Sequence, residues 1–247
     1  MIYIKSQYEI EQIKKACTVW KKIREAIFLE AKVGVSLKWL DDLAGKIAIE
    51  NGCICPFKGY NGFLGNICIS VNEVVIHGVP SNYKIKDNDL ITFDVGTSYN
   101  GYICDAAFTI IFGKNQEAEL INKVCYESLL EGIKQVKPMN KIGDISFSVQ
   151  QYVEKKGFKI LKDFGGHGCG KKLHEDPLIL NYGKKNTGHT LLPGMVICIE
   201  PMILTDDASY YIDKDDNWSV IAKNKKLTCH WEHMVLVTEN GHEILTE

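Results

Sequence analysis

The chain has 247 residues, 45% of them apolar and 24% charged, with a formal net charge of -2. Such a chain can bury a substantial core, as one large domain or two small ones. Its near-neutral charge argues against nucleic acid or an anionic membrane as the main partner.

Ser6-Gln7-Tyr8-Glu9 has the form of a capping box. It opens a helix whose apolar residues Ile10, Ile13, Cys17, Trp20, Ile23 and Ile27 recur at helical spacing. Gly34 ends that stretch, Ser36 caps a second helix through Leu37, Leu40, Leu43 and Ile47, and Gly52 stops it. Strand-like sequence follows over 65–70, over 74–80 and in the run Leu90–Val95. Asn100-Gly101 predicts a two-residue hairpin turn, with Tyr99 paired to Tyr102. Asn115 opens a third helix carrying Leu120, Val124, Leu129, Ile133 and Val136. A fourth uses Ile142, Ile145, Val149 and Val153 and stops at Gly157. Strand-like 158–161, a glycine-rich turn over 165–170, His174-Glu175-Asp176-Pro177 and the apolar run Met195–Glu200 complete the series.

The second half repeats the order of the first. His77-x-x-Pro80 is echoed by His174-x-x-Pro177, and Asp94 by Glu200, each a carboxylate at or near the end of an apolar strand. Helix pairs alternating with strand groups predict an α+β architecture. The expectation is one domain over 1–247, with two pseudo-symmetric halves of about 1–113 and 114–247.

Asp94, Asp105, Glu200 and Glu232 lie in or beside strand-like runs that hold no Lys or Arg. A buried, unpaired carboxylate costs on the order of several kcal/mol or more, so a fold keeps one only where something positive meets it. In the hairpin, Asp94 falls opposite Ala107, and Asp105 is a diagonal neighbour on the same face; a register shift of two would set them directly opposite. Either way the carboxylates converge, and repulsion would protonate one unless a cation intervened. His167, in Gly165-Gly166-His167-Gly168-Cys169-Gly170, is flanked by glycines that permit close backbone approach and unusual dihedrals. One imidazole with four carboxylates is an oxygen-rich donor set suited to Mn²⁺, Fe²⁺, Co²⁺ or Zn²⁺, with charge enough for two ions. The nine cysteines are scattered without Cys-x-x-Cys spacing. Several (Cys104, Cys198, Cys229) read as small core residues, which suits a reducing cytosol. With no apolar leader or membrane-length run, the expected location is the cytoplasm.

The order Asp94, Asp105, His167, Glu200, Glu232 resembles the metal ligands of the type I methionine aminopeptidases. So do Ile-Ser-Val-Asn-Glu73-Val-Val-Ile-His77-Gly-Val-Pro80, Gly-His167-Gly, His174-Glu-Asp-Pro177, Leu-Pro-Gly194-Met, Ile-Glu200-Pro-Met202 and Glu232-His233, which span nearly the whole chain. The resemblance implies the pita-bread fold, two pseudo-symmetric halves with helices packed outside a curved antiparallel sheet. It implies two divalent ions (Co, Mn, Fe or Zn), with Asp94 on one, Asp105 and Glu232 bridging both, and His167 and Glu200 completing the other. The implied reaction is hydrolytic removal of the initiator methionine from nascent polypeptides when the second residue is small. Glu200 would take and pass on the proton of the attacking water, His174 would hold the carbonyl oxygen and His77 the scissile amide.

The family's methionine pocket maps onto Phe57, Tyr60, Phe63, Cys68, Leu173 and Trp218, with His77 and His174 also touching substrate. Phe57, Phe63, Leu173 and His230 depart from bacterial members, where cysteine, tyrosine, phenylalanine and glutamine are common. The implied partners are the N-termini of nascent chains, with the ribosome a further candidate, and the expected state is a monomer. The competing readings are a non-catalytic pita-bread peptide-binding module, which would have lost ligands, and an Xaa-Pro dipeptidase.

Overall fold

Ser6 caps the first helix as a capping box, its hydroxyl accepting from the Glu9 N–H while Glu9 reaches back to the Ser6 N–H. The computed structural model describes residues 2–247. In it helix α1 (Gln7–Glu30) buries all six residues of the expected stripe, Ile10 to Ile27. Helix α2 (Leu37–Glu50) starts where the Ser36 hydroxyl accepts from the Trp39 N–H. Strands β1 (Cys68–Val71), β2 (Val74–Ile76), β3 (Leu90–Tyr99) and β4 (Tyr102–Ile111) follow. Helices α3 (Gln116–Ile133) and α4 (Ile142–Lys155) open the second half. After them come β5 (Lys159–Ile160), β6 (Gly165–Gly168), β7 (Glu175–Leu180), β8 (Val196–Ile199) and β9 (Met202–Leu204). The last strands are β10 (Tyr210–Ile212), β11 (Val220–Ala222), β12 (Thr228–His230), β13 (His233–Thr238) and β14 (Gly241–Ile244).

The strands form four sheet segments, ordered β1-β3-β4, β10-β11-β2, β12-β9-β5 and β14-β13-β8-β6-β7, every pair within them antiparallel. The order β1-β3-β4 behind α1 and α2 recurs as β6-β8-β13 behind α3 and α4. The two segments are joined where Ala107 of β4 and Glu232 exchange backbone hydrogen bonds, Glu232 N–H to Ala107 O at 3.0 Å and the reverse at 3.3 Å. That seam lies among the acidic residues. On the far side, α1 covers β3 and β4, and the Trp20 indole N–H anchors it to the Ala106 carbonyl at 3.0 Å.

The β3–β4 hairpin has the register its turn dictates. Asn100 and Gly101 both take positive φ, Tyr99 faces Tyr102, Asp94 faces Ala107 and Asp105 faces Gly96. Asp94 and Asp105 are diagonal neighbours, not directly opposite.

Two expectations are corrected. Leu120 turns outward, 54% exposed, and Ile121 takes the inner position beside Val124 and Cys125. Val136 is buried but lies past the end of α3. The glycine-rich stretch around His167 is not a turn over Gly165–Gly168 but strand β6, and none of its glycines has positive φ. They are glycines for want of space. A Cβ on Gly166 would stand 2.1 Å from the Cys198 carbonyl oxygen, and one on Gly168 2.2 Å from that of Asp176. Because the obstacle is backbone, Gly166→Ala should cost about 1–3 kcal/mol. Urea unfolding measures this, and an unchanged midpoint would contradict the packing described.

Candidate metal centre

Buried carboxylates elsewhere in this protein have partners. Asp41 Oδ1 accepts from the backbone N–H groups of Asn66 (2.6 Å) and Ile67 (3.1 Å). Asp89 accepts from Tyr83, Asn72 and the Lys86 N–H. The seam between the halves is different. Asp94 Oδ1, Asp105 Oδ1 and Glu232 Oε1 are buried there with no hydrogen-bond partner, each leaving a desolvation cost uncompensated.

Their titration reflects this. Burial raises Asp94 to about 7. Burial, then the charge of Asp94, raises Glu200 to about 8. Burial, then the neighbouring carboxylates, pushes Asp105 and Glu232 well above the usual range. The basic side chains within ion-pair distance are imidazoles, not Lys or Arg. His167 Nε2 stands 3.5 Å from Glu200 Oε1 and 3.8 Å from Asp105 Oδ2, and His230 Nε2 stands 3.7 Å from Glu200 Oε2. Burial lowers both histidines to about 3, so they are neutral.

His167 is presented as a ligand. Its Nδ1 donates to the Gly168 carbonyl at 3.0 Å, which leaves the Nε2 lone pair facing the carboxylates. Donor atoms of Asp105, His167, Glu232 and Cys198 all lie within 4.8 Å of one another. Cys198, read from sequence as core, is buried, but its thiol also borders the site and donates to the Asp105 carbonyl at 3.7 Å. The orphaned oxygens, the convergent carboxylates and a lone pair held ready fit divalent metal. The residues that could hold it are Asp94, Asp105, His167, Glu200 and Glu232.

All eight residues expected to touch substrate line one cavity of about 360 Å³, with the carboxylates and His167 also in its wall. Phe63 meets Trp218 edge to face at 5.2 Å, and Phe57 packs where a side chain at Gly96 would intrude. His77 directly follows β2 with φ 58, its ring between Phe164 and Trp218. Burial, then His174, lowers it to about 4. The His174 ring lies 4.4 Å from that of His167, and its Nδ1 is 2.9 Å from the Tyr60 hydroxyl. Phe164, Ile76 and Leu178 also line the cavity and went unforeseen. An aromatic directly before Gly165-Gly166-His167 was the available signal for Phe164.

Residues 11–239 match the model of metallopeptidase family M24. The chain belongs to that family. Membership of family M24 explains why the acidic cluster survives inside the core. The methionine aminopeptidase of Mycoplasma genitalium is 43% identical over 250 residues, covering 100% of both chains. The crystal structure of the Rickettsia prowazekii methionine aminopeptidase superposes with a TM-score of 0.98 at 32% identity, and that of the Thermotoga maritima enzyme with 0.97 at 38%. Each covers 100% of both chains. The M24 fold is the pita-bread arrangement described above. All nine cysteines are buried and free, and no helix among the described residues is long and apolar enough to cross a membrane.

Proposed function

We infer that the chain removes the N-terminal methionine from nascent polypeptides whose second residue is small, by hydrolysis that depends on divalent metal, in the cytoplasm. One observation carries this reading. An apolar cavity ends on a buried imidazole and four carboxylates, among which three oxygens have no partner. We read residues 1–247 as one catalytic unit whose two halves each contribute ligands, Asp94 and Asp105 from the first and His167, Glu200 and Glu232 from the second.

Asp94, Asp105, His167, Glu200 and Glu232 would hold a pair of ions. When bound, these lower the pKa of water and polarise a carbonyl. Glu200 has one oxygen toward His167 and the other toward His230, and acts as proton acceptor and shuttle. His174 is kept neutral by burial. With the Tyr60 hydroxyl donating to Nδ1, Nε2 carries the proton and can donate to a carbonyl oxygen as charge develops there. His77, neutral and braced by two aromatic rings, contacts the scissile amide. Phe57, Phe63, Cys68, Leu173 and Trp218 enclose the methionine side chain, whose burial supplies roughly 1.5–3 kcal/mol.

The test is chelator-stripped protein assayed on Met-Ala-Ser and Met-Gly peptides as each dication is restored. Free methionine should appear with at least one metal, while Xaa-Pro peptides stay uncut. No release under any metal would overturn the reading, and cleavage of Xaa-Pro alone would move it to a dipeptidase. His174→Ala should lower kcat roughly 10²–10³-fold with little change in KM, because its hydrogen bond strengthens only as charge forms. Steady-state kinetics decide that.

A further inference from the structure

The five ligands account for every orphaned carboxylate oxygen at the centre, but they leave one side chain unexplained. His230, at the end of β12, is 2% exposed, and neither ring nitrogen has a hydrogen-bond partner. A neutral imidazole carries one donor and one acceptor, and a donor buried bare is costly enough that a fold keeps one only for a purpose. Its backbone is fixed, because the Thr109 hydroxyl donates to the His230 carbonyl at 2.7 Å and β12 pairs with β9 through Met202. Its Nε2 stands 3.7 Å from Glu200 Oε2. The other oxygen of Glu200 faces His167 at 3.5 Å. His230 does not line the substrate cavity.

We propose that His230 is a positioning residue for Glu200, donating Nε2–H to Oε2 so that Oε1 alone is presented to the reacting centre. A normal N–H···O contact spans about 2.9 Å, so a shift of under one ångström between the two side chains closes the bond. The arrangement divides the labour of one carboxylate between two imidazoles on opposite sides. His167 shares the face turned to the metal, and His230 fixes the carboxylate's rotation from the protein side. This rests on the functional reading above for the identity of the reaction, but not for the contact itself.

The test uses His230→Leu, His230→Asn and His230→Gln in the full chain. Cobalt(II) affinity is read by calorimetry, the cobalt(II) visible spectrum by absorption, and kcat and KM on Met-Ala-Ser. Leucine cannot donate and asparagine is too short, so both should lower kcat and cobalt(II) affinity roughly 10–100-fold, the range found for outer partners of metal ligands. Both should alter the cobalt(II) bands while KM moves less than about twofold. Glutamine can place an amide N–H near the same point and should recover most of the loss. In a Glu200→Ala background, His230→Leu should have no further effect on cobalt(II) affinity.

A folded His230→Leu with wild-type kcat and cobalt(II) spectrum would overturn the proposal, as would a glutamine variant no better than leucine. Should leucine prevent folding, the comparison of glutamine with asparagine decides. Failure of the wild type to release methionine would sink the functional reading and leave the cobalt(II) measurements to judge this one.

Discussion

Glu232→Gln should reduce methionine release from Met-Ala-Ser below roughly a thousandth of wild type, because outer partners of metal ligands alone are worth roughly 10–100-fold and we propose Glu232 as a member of the ligand set itself. The substitution keeps the side chain's volume and should leave the seam intact, since Glu232 is joined to Ala107 through backbone, not side chain. In the chelated protein the same change should raise Tm by a few degrees. It removes a buried carboxylate that faces Asp105, Glu200 and Asp94 and has an oxygen with no partner. A gain in metal-free stability with near-complete loss of activity is the behaviour of a residue kept for function against the interest of the fold. Loss of both would mark Glu232 as structural.

Chelated protein should lose stability as pH rises from about 6.5 to 8, and saturating Co²⁺ or Mn²⁺ should abolish that loss. The carboxylates raised by burial, Asp94 to about 7 and Glu200 to about 8 with Asp105 and Glu232 raised as well, hold protons in the folded state that the unfolded chain has released. Their contribution is complete below the ordinary carboxylate range and is lost as pH climbs through the folded values. The buried histidines work the other way. His77 and His233 are lowered to about 4, and His167 and His230 to about 3, so they favour the folded state increasingly as pH rises to about 6.5, where the unfolded chain also becomes neutral.

Above that point the carboxylates act alone. Each proton is worth about 1.4 kcal/mol per pH unit, so a fall on the order of 2–4 kcal/mol is expected, or roughly 5–15 °C in Tm. Bound cations hold the carboxylates ionised, flatten the profile and add about 2.7 kcal/mol at a hundred times Kd. Scanning calorimetry from pH 6 to 8, with chelator and with metal, reads both curves. Parallel curves would contradict the account.

What could be read beforehand was what local chemistry determines. Asn100-Gly101 fixed the hairpin register to the residue, and with it the diagonal approach of Asp94 and Asp105. Ser6, Ser36 and Asn115 marked three helix starts because each side chain caps an N–H three residues on. Gly165–Gly168 was mistaken for turn because a glycine required for space looks the same in sequence as one required for a positive φ. The distinction lies in the Cys198 and Asp176 carbonyls, which belong to β8 and to the start of β7. Leu120 failed for a related reason. Helical period defines a stripe, but how α3 lies on β12 and α4 decides which edge of it is covered. The four carboxylates were legible as acidic residues out of place in apolar runs, and His167 by the glycines that flank it. Cys198 and the bare nitrogens of His230 were not, because their meaning comes only from neighbours brought by other strands.

We propose that five side chains from both halves enclose paired divalent ions. Anomalous diffraction from crystals equilibrated with Mn²⁺ or Co²⁺ tests it most directly. Two peaks are expected, enclosed by Asp94, Asp105, His167, Glu200 and Glu232 at the floor of the cavity. Peaks elsewhere with that cluster empty, or none at all at saturating metal, would contradict it.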